Sequence, residues 1–390
     1  MDDDTDTQES QTHTHFSRRA MLALSGAGLA ALAGCSGGGG DDPTSTTDTT
    51  GTTTATTTTT EQTTTTTRTT EQKSIEELKG EYSCPSPNRD PDIVVAQDGS
   101  GDHETVQAAI DAVPERTAEE TVVYIKSGRY KEKLKISRSK LNTTFVGESA
   151  TETVLTYDDH ADKTNDRGME LGTGGSASFA ITAPDFTAVN LTIENAAEPV
   201  AQAVAARVEA DRALFSNCRF LGNQDTLYTL SAERQYYHDC YIEGDVDFIF
   251  GAATAYFEDC ELFCKPDGGY VTAASTPQDA NFGYVFNNCE FTAAEGTADD
   301  SYYLGRPWRS YARTVVMNSY LGDHIHPAGW DNWGEPAKEE TATYKEYQNE
   351  GPGYTPEERV EWAGELSNYM ASKHSDLEDV LDDWNPARCL

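Results

Sequence analysis

The chain has 390 residues, enough for one large domain together with targeting and linker segments. Its 66 acidic and 29 basic residues give a formal net charge of −37, which excludes a nucleic-acid partner, because phosphate binding needs a basic surface. A hydrophobic content of 37% and an internal repeat argue for a folded body, so the acidic excess reads as the carboxylate-rich shell of a halophilic protein.

Residues 1–35 read as an export signal. Ser17-Arg18-Arg19-Ala20-Met21-Leu22 carries twin arginines, and the apolar run from Met21 to Ala33 is short for a membrane span. The Arg pair points to the twin-arginine route. Leu32-Ala33-Gly34-Cys35 resembles a lipobox, which would place a lipid anchor on Cys35 at the outer face of the membrane; an ordinary cleaved signal is the alternative. Residues 36–80 are dominated by threonine and cannot build a core, so they read as a disordered, stalk-like linker. The folded domain is expected over 81–390.

His103 to Val113 has the spacing of a short amphipathic helix, with Val106, Ala109, Ile110 and Val113 on one face and Pro114 closing it. Val122 to Ile125 follows as a strand and Gly128-Arg129-Tyr130 as a turn. Leu171 to Ser176 is glycine-rich, but no Lys-Ser/Thr follows, so a loop is expected and not a phosphate cradle. Short β-type runs then recur every 20–30 residues or so, a period that indicates a solenoid. One run covers Phe186 to Ile193 and another Val316 to Leu321.

Within this array the pattern aromatic-x-(Asn/Asp)-Cys appears as Phe215-Ser216-Asn217-Cys218, Tyr237-His238-Asp239-Cys240, Phe257-Glu258-Asp259-Cys260 and Phe286-Asn287-Asn288-Cys289. The expected fold is all-β: a right-handed single-stranded parallel β-helix with a short N-terminal helix and a partly helical tail after Trp330, where the repeat stops. The repeated cysteines have two readings, an inward stack of small apolar groups or a disulfide between coils, with Cys218–Cys240 and Cys260–Cys264 as candidates. Paired CxxC ligands are lacking, and His324 and His326 have no carboxylate or cysteine partner in sequence, so no metal is expected.

Asp225 and Asp247 each lie seven residues beyond a repeat cysteine and 22 residues from one another. On a solenoid they would stack on neighbouring coils, roughly 4.8 Å apart at the backbone. Two carboxylates so close cannot both ionise cheaply, which splits one acid from one base.

Several segments resemble signatures of the pectin methylesterases, a family of carbohydrate esterases. They are Gln202 to Arg207, Gly222 to Tyr228, Gly244 to Gly251 and Leu304-Gly305-Arg306-Pro307-Trp308, with further matches at Gly128 to Glu132, Gly329-Trp330 and Trp333. The resemblance implies hydrolysis of the methyl esters of pectin to pectate and methanol, without a cofactor. It makes Asp247 the nucleophile, Asp225 the acid and base, Arg306 the cation that holds Asp247, and Gln202 and Gln224 the oxyanion donors. Tyr228, Phe250 and Trp308 would line the cleft against sugar rings. A homogalacturonan polysaccharide is the expected partner, and a monomer the expected state.

A related carbohydrate esterase, a thioesterase-like β-helix enzyme, a polysaccharide lyase or glycosidase, and a non-catalytic polysaccharide-binding protein are the alternatives. Paired carboxylates also serve glycoside hydrolysis. The glutamines and Arg306 favour acyl transfer, since glycosidic cleavage needs no oxyanion hole.

Overall fold

The computed structural model of the protein describes residues 74–80 and 82–390. The export signal and most of the linker expected from the sequence therefore lie outside the described residues.

Three parallel sheets of eleven, eight and seven strands wind into a right-handed parallel β-helix, with each complete coil contributing one strand to each sheet in turn. One coil runs Ala213–Ser216, Arg219–Leu221, Leu227–Thr229; the next runs Arg234–His238, Tyr241–Gly244, Val246–Gly251. Strands in the first sheet pair in strict register, Phe215 with Tyr237, Tyr237 with Phe257 and Phe257 with Phe286. These are the aromatic positions of the repeat, and their rings stack face to face inside the solenoid at centroid distances of 5.0, 4.7 and 4.5 Å.

The Asn/Asp position of the repeat is a corner. Asn217, Asp239, Asp259 and Asn288 all have φ between 48° and 57°, the left-handed region that Asn and Asp tolerate better than other side chains. That residue turns the chain from the first sheet to the second. The next residue then points inward, which explains the cysteine: Cys218, Cys240, Cys260 and Cys289 are buried free thiols. Their sulfurs donate to backbone carbonyls, as Cys218 Sγ does to Ala188 O at 3.3 Å. The inward-stack reading holds and the inter-coil disulfides do not form.

The disulfide lies elsewhere, between Cys84 and Cys389. It ties the segment before the first coil to the C-terminal end, beside an edge-to-face contact of Tyr82 with Trp384. Neither cysteine belongs to the repeat, so periodicity carried no hint of the pairing.

The helix near the N-terminus spans Val106–Ala112, starting at the Thr105 cap and not at His103, and it buries Val106, Ala109 and Ile110. Gly128–Lys131 is a strand of the second sheet and not a turn, because Tyr130 alternates inward and pairs with Leu155. Gly172–Gly175 forms one helical turn. The repeat also continues past Trp330, since Thr343–Tyr347 and Gly364–Glu365 extend the first sheet. Helices Asn368–His374 and Leu377–Val380 follow, and the apolar residues Leu377, Val380 and Leu381 pack against Leu214, Tyr236 and Tyr256 on the outer face of that sheet. A further short helix, Ile75–Lys79, sits within the stretch expected as linker. It is held by Lys79 Nζ on Asp211 and by Arg212 donating to the Lys79 carbonyl.

Candidate active site

The third sheet carries the site. Its strands Ala206–Val208, Leu227–Thr229, Val246–Gly251, Tyr270–Ala274 and Tyr303–Gly305 lie side by side, one per coil. Leu227 pairs with Ile249, so Asp225 and Asp247 occupy the same place on adjacent coils, as their spacing predicts. Asp225 N donates to Val246 O at 3.1 Å, which locks the two segments together. Both aspartates have positive φ, 69° and 49°. At Asp247 the register with the following strand slips between Val246 and Ile249. Such a bulge redirects a side chain out of the regular alternation.

Both carboxylates are nearly buried, Asp225 at 7% and Asp247 at 5% exposure. Their surroundings differ. Arg306 grips Asp247 with two parallel bonds, Nε to Oδ1 at 2.9 Å and Nη2 to Oδ2 at 2.7 Å. The guanidinium is itself sandwiched, 3.7 Å from the Tyr270 ring centroid and 3.9 Å from that of Trp333. Burial pushes Asp247 above the ordinary carboxylate range, and Arg306 limits the rise. Burial pushes Asp225 well above that range, and the neighbouring Asp247 charge raises it further. The two carboxyls are thus unequal: both are pushed upward, Asp225 further, and only Asp247 is bonded to a cation among the described residues.

Gln224 immediately precedes Asp225, and its carbonyl accepts from Ala203 N at 3.1 Å, which brings Gln202 to the neighbouring coil beside it. Both glutamines are half-buried, and neither side chain is bonded to another described residue. Two amides are thus free to donate next to the carboxylate pair. Tyr228 and Phe250 pair in register and lie flat on one another at 4.1 Å, with Trp308 5.9 Å from Phe250. Together with Ala177, Val204, Ala273 and Trp333 they form an apolar patch separate from the solenoid core. All eight residues expected from the sequence therefore fall on one stretch of one sheet and its loops.

No sequence motif marks Tyr270, Asp331 or Lys338, and none assigns a role to Trp333. Tyr270 meets Arg306 only because its strand neighbours Tyr303–Gly305, a register relation that no local motif encodes. Asp331 Oδ1 accepts from Trp333 N at 2.7 Å and so sets the turn that lays the indole on Arg306. His324 is buried and His326 stacks on Tyr303 at 4.6 Å. Among the described residues no group of three His, Cys, Asp or Glu side chains is placed to hold a metal.

The pectinesterase family model matches residues 92–377. Pectinesterase 31 of Arabidopsis thaliana is 44% identical over 306 residues, covering 76% of this chain and 95% of that protein. A pectinesterase/pectinesterase inhibitor of Ficus pumila var. awkeotsang is 39% identical, and there the match covers 70% of this chain but about half (51%) of the relative. Among solved structures, pectin methylesterase from carrot superposes with a TM-score of 0.72 at 34% identity, covering 78% of this chain and 98% of the other. A pectin methylesterase in complex with a hexasaccharide superposes at 0.69 with 30% identity, covering 76% and 99%. The parallel coils, the paired aspartates with their arginine, and these matches agree: the chain belongs to the pectinesterase family.

Proposed function

We propose that the protein hydrolyses the methyl esters of polygalacturonate to pectate and methanol, with Asp247 as nucleophile and Asp225 as acid and then base. The observation that carries this reading is the asymmetry of the pair: Asp247 is held by the Arg306 fork, while Asp225, similarly buried, has no cation bonded to its carboxyl among the described residues.

An Asp247 oxygen attacks the ester carbonyl carbon, and the negative charge moves to the carbonyl oxygen. Gln202 and Gln224 donate to that oxyanion. Asp225 delivers its proton to the methoxy oxygen, the C–O bond breaks, and methanol leaves a mixed anhydride on Asp247. Asp225, now a carboxylate, takes a proton from water as the hydroxyl adds to the anhydride. Collapse of that adduct frees Asp247 and the galacturonate acid, and Asp225 is protonated again. Arg306 keeps Asp247 charged and oriented throughout.

Tyr228, Phe250 and Trp308 present flat apolar faces beside the carboxylates, suited to sugar rings. The solved relative in complex with a hexasaccharide supports a polysaccharide substrate.

The export reading belongs to the same proposal. The twin arginines and Cys35 support translocation of the folded enzyme and a lipid tether, with the threonine-rich stretch ahead of the Ile75–Lys79 helix as a stalk and the catalytic body a monomer outside the membrane. Comparing the membrane fractions of wild type and Cys35→Ser tests the tether.

Methanol release from highly methylated pectin at molar salt tests the activity. Wild type is expected to release methanol and folded Asp247→Asn almost none. A folded wild type that releases no methanol would overturn the reading.

A further inference from the structure

The tripeptide Arg306-Pro307-Trp308 is held from two sides. Its N–H groups join the third sheet, Arg306 N donating to Thr272 O and Trp308 N to Ala274 O, both at 2.9 Å. Its carbonyls meet a buried ammonium. Lys338 Nζ donates to Pro307 O at 2.9 Å and to Trp308 O at 3.4 Å, with Glu335 Oε1 as a third partner at 3.0 Å. Lys338 is 6% exposed. Lysine is almost never buried this far unless its donors are used.

Lys338 stands on the short 3₁₀ helix Pro336–Glu340, in the irregular stretch after Trp330. The same stretch supplies Trp333, whose ring lies 3.9 Å from the Arg306 guanidinium and 5.3 Å from the Lys338 ammonium. Proline has no N–H and its ring fixes φ, so the conformation on its far side depends on what its carbonyl meets. Here that partner is Lys338.

We propose that Lys338 is a positioning residue: by binding the Pro307 and Trp308 carbonyls it fixes the loop from which Arg306 grips Asp247 and Trp308 faces the cleft. This rests on the reading of Asp247 as the nucleophile. Lys338 touches neither carboxylate of the pair and acts through Arg306. An ammonium on a flexible stem suits the task, because it can serve two carbonyls and a carboxylate in different directions.

Lys338→Met keeps most of the buried stem and removes every donor. The loop then loosens, and misplacement of this order costs roughly 10–100-fold in kcat/KM. The charged and titratable groups that act electrostatically on Asp247 are Asp225 on the adjacent coil, Arg306, Asp331, Tyr270 and Tyr344. Only Arg306 among them is a cation, so a loosened fork lets the Asp247 carboxyl titrate higher. The acid limb of kcat/KM should move to higher pH, a change that a general loss of stability would not produce.

The experiment measures pH–rate profiles and melting in molar salt for wild type, Lys338→Met and Glu335→Gln. Glu335 bonds Lys338 but not the loop, so Glu335→Gln should match wild type. A folded Lys338→Met with an unmoved acid limb and kcat/KM within about twofold of wild type overturns the proposal. If Lys338→Met does not fold, Lys338→Gln carries the same test. A crystal structure of either variant gives a reading independent of activity: Arg306 still at 2.9 and 2.7 Å from Asp247 overturns the proposal, and a displaced fork supports it. A wild type that releases no methanol would sink the pectinesterase reading alone, since that structure still decides the part played by Lys338.

Discussion

Asp225 and Asp247 stand 22 residues apart in sequence and one coil apart in space, and Arg306 bonds only Asp247. The proposed mechanism needs Asp247 ionised and Asp225 protonated. Both carboxyls are pushed upward, Asp225 further. A pH–rate measurement should therefore give a bell-shaped kcat/KM, with both limbs above the ordinary carboxylate range and belonging to the pair as a unit. Asp225→Asn should lower kcat by about 10²–10⁴.

The same shift makes Asp225 a cost to stability. Its folded value lies well above the unfolded reference of 3.8. The native state thus holds the proton more tightly, and the resulting stability is fully present below that reference and is lost as pH rises through the folded value. Asparagine escapes this loss. Asp225→Asn should melt higher than wild type at neutral pH, by a margin that closes as pH falls toward 4, which paired melting curves in molar salt would show.

Gln202 and Gln224 have side-chain amides bonded to no other described residue and sit beside the carboxylate pair on consecutive coils. Truncating either to alanine should cost about 10²–10³ in kcat with little change in KM, because an oxyanion donor acts mainly in the transition state. Steady-state kinetics on methylated pectin separates the two parameters. A rise in KM alone would assign the glutamines to ground-state binding.

Gly305 is needed for a close approach. A Cβ there would lie 1.9 Å from Thr272 Oγ1, whose hydroxyl donates to Leu304 O at 2.9 Å. Gly305→Ala must therefore push the strand end away from its neighbour and carry Arg306 with it. An activity loss of about 10²-fold is expected; an active, folded Gly305→Ala would show that the fork tolerates displacement.

The Cys84–Cys389 bond closes a sequence separation of 305 residues. Cys389→Ser should lower stability by about 2–4 kcal/mol. Activity per folded molecule should not change, since neither cysteine contributes to the site. Denaturation with and without reductant gives the comparison.

A net charge of −37 should make stability strongly dependent on salt. Unfolding midpoints should rise steeply from dilute buffer to about 1 M salt, where the screening length is about 3 Å. A flat dependence would mean that the acidic shell is compensated locally by its ion pairs.

The coil architecture and the carboxylate pair were legible because a solenoid converts sequence spacing directly into spatial neighbourhood. Asp225, Asp247 and the stacked Phe215, Tyr237, Phe257 and Phe286 could be read in this way. Contacts outside the repeat could not. Tyr270 reaches Arg306 through strand register, while Trp333 reaches it, and Lys338 reaches the Pro307 and Trp308 carbonyls beside it, from an irregular segment whose path follows no period. Gly128–Lys131 read as a turn because its glycine outweighed the inward alternation of Tyr130. The Cys84–Cys389 pair joins segments outside the repeat, near opposite ends of the described sequence, so nothing local marked it.

The left-handed corner between the first and second sheets divides each coil into a part of fixed length and a part free to vary. Asn190, Asn217, Asp239, Asp259, Asn288, Asn318 and Gln348 all turn it with one residue of positive φ. The repeat cysteines nevertheless fall 22, 20 and 29 residues apart. Every added residue must therefore enter on the far side of the coil, around the third sheet, where Tyr228, Phe250 and Trp308 lie. Insertions and deletions there can remodel the cleft walls while the stacked interior keeps its register. In this solenoid, variation in loop length is directed to the face that carries the carboxylate pair.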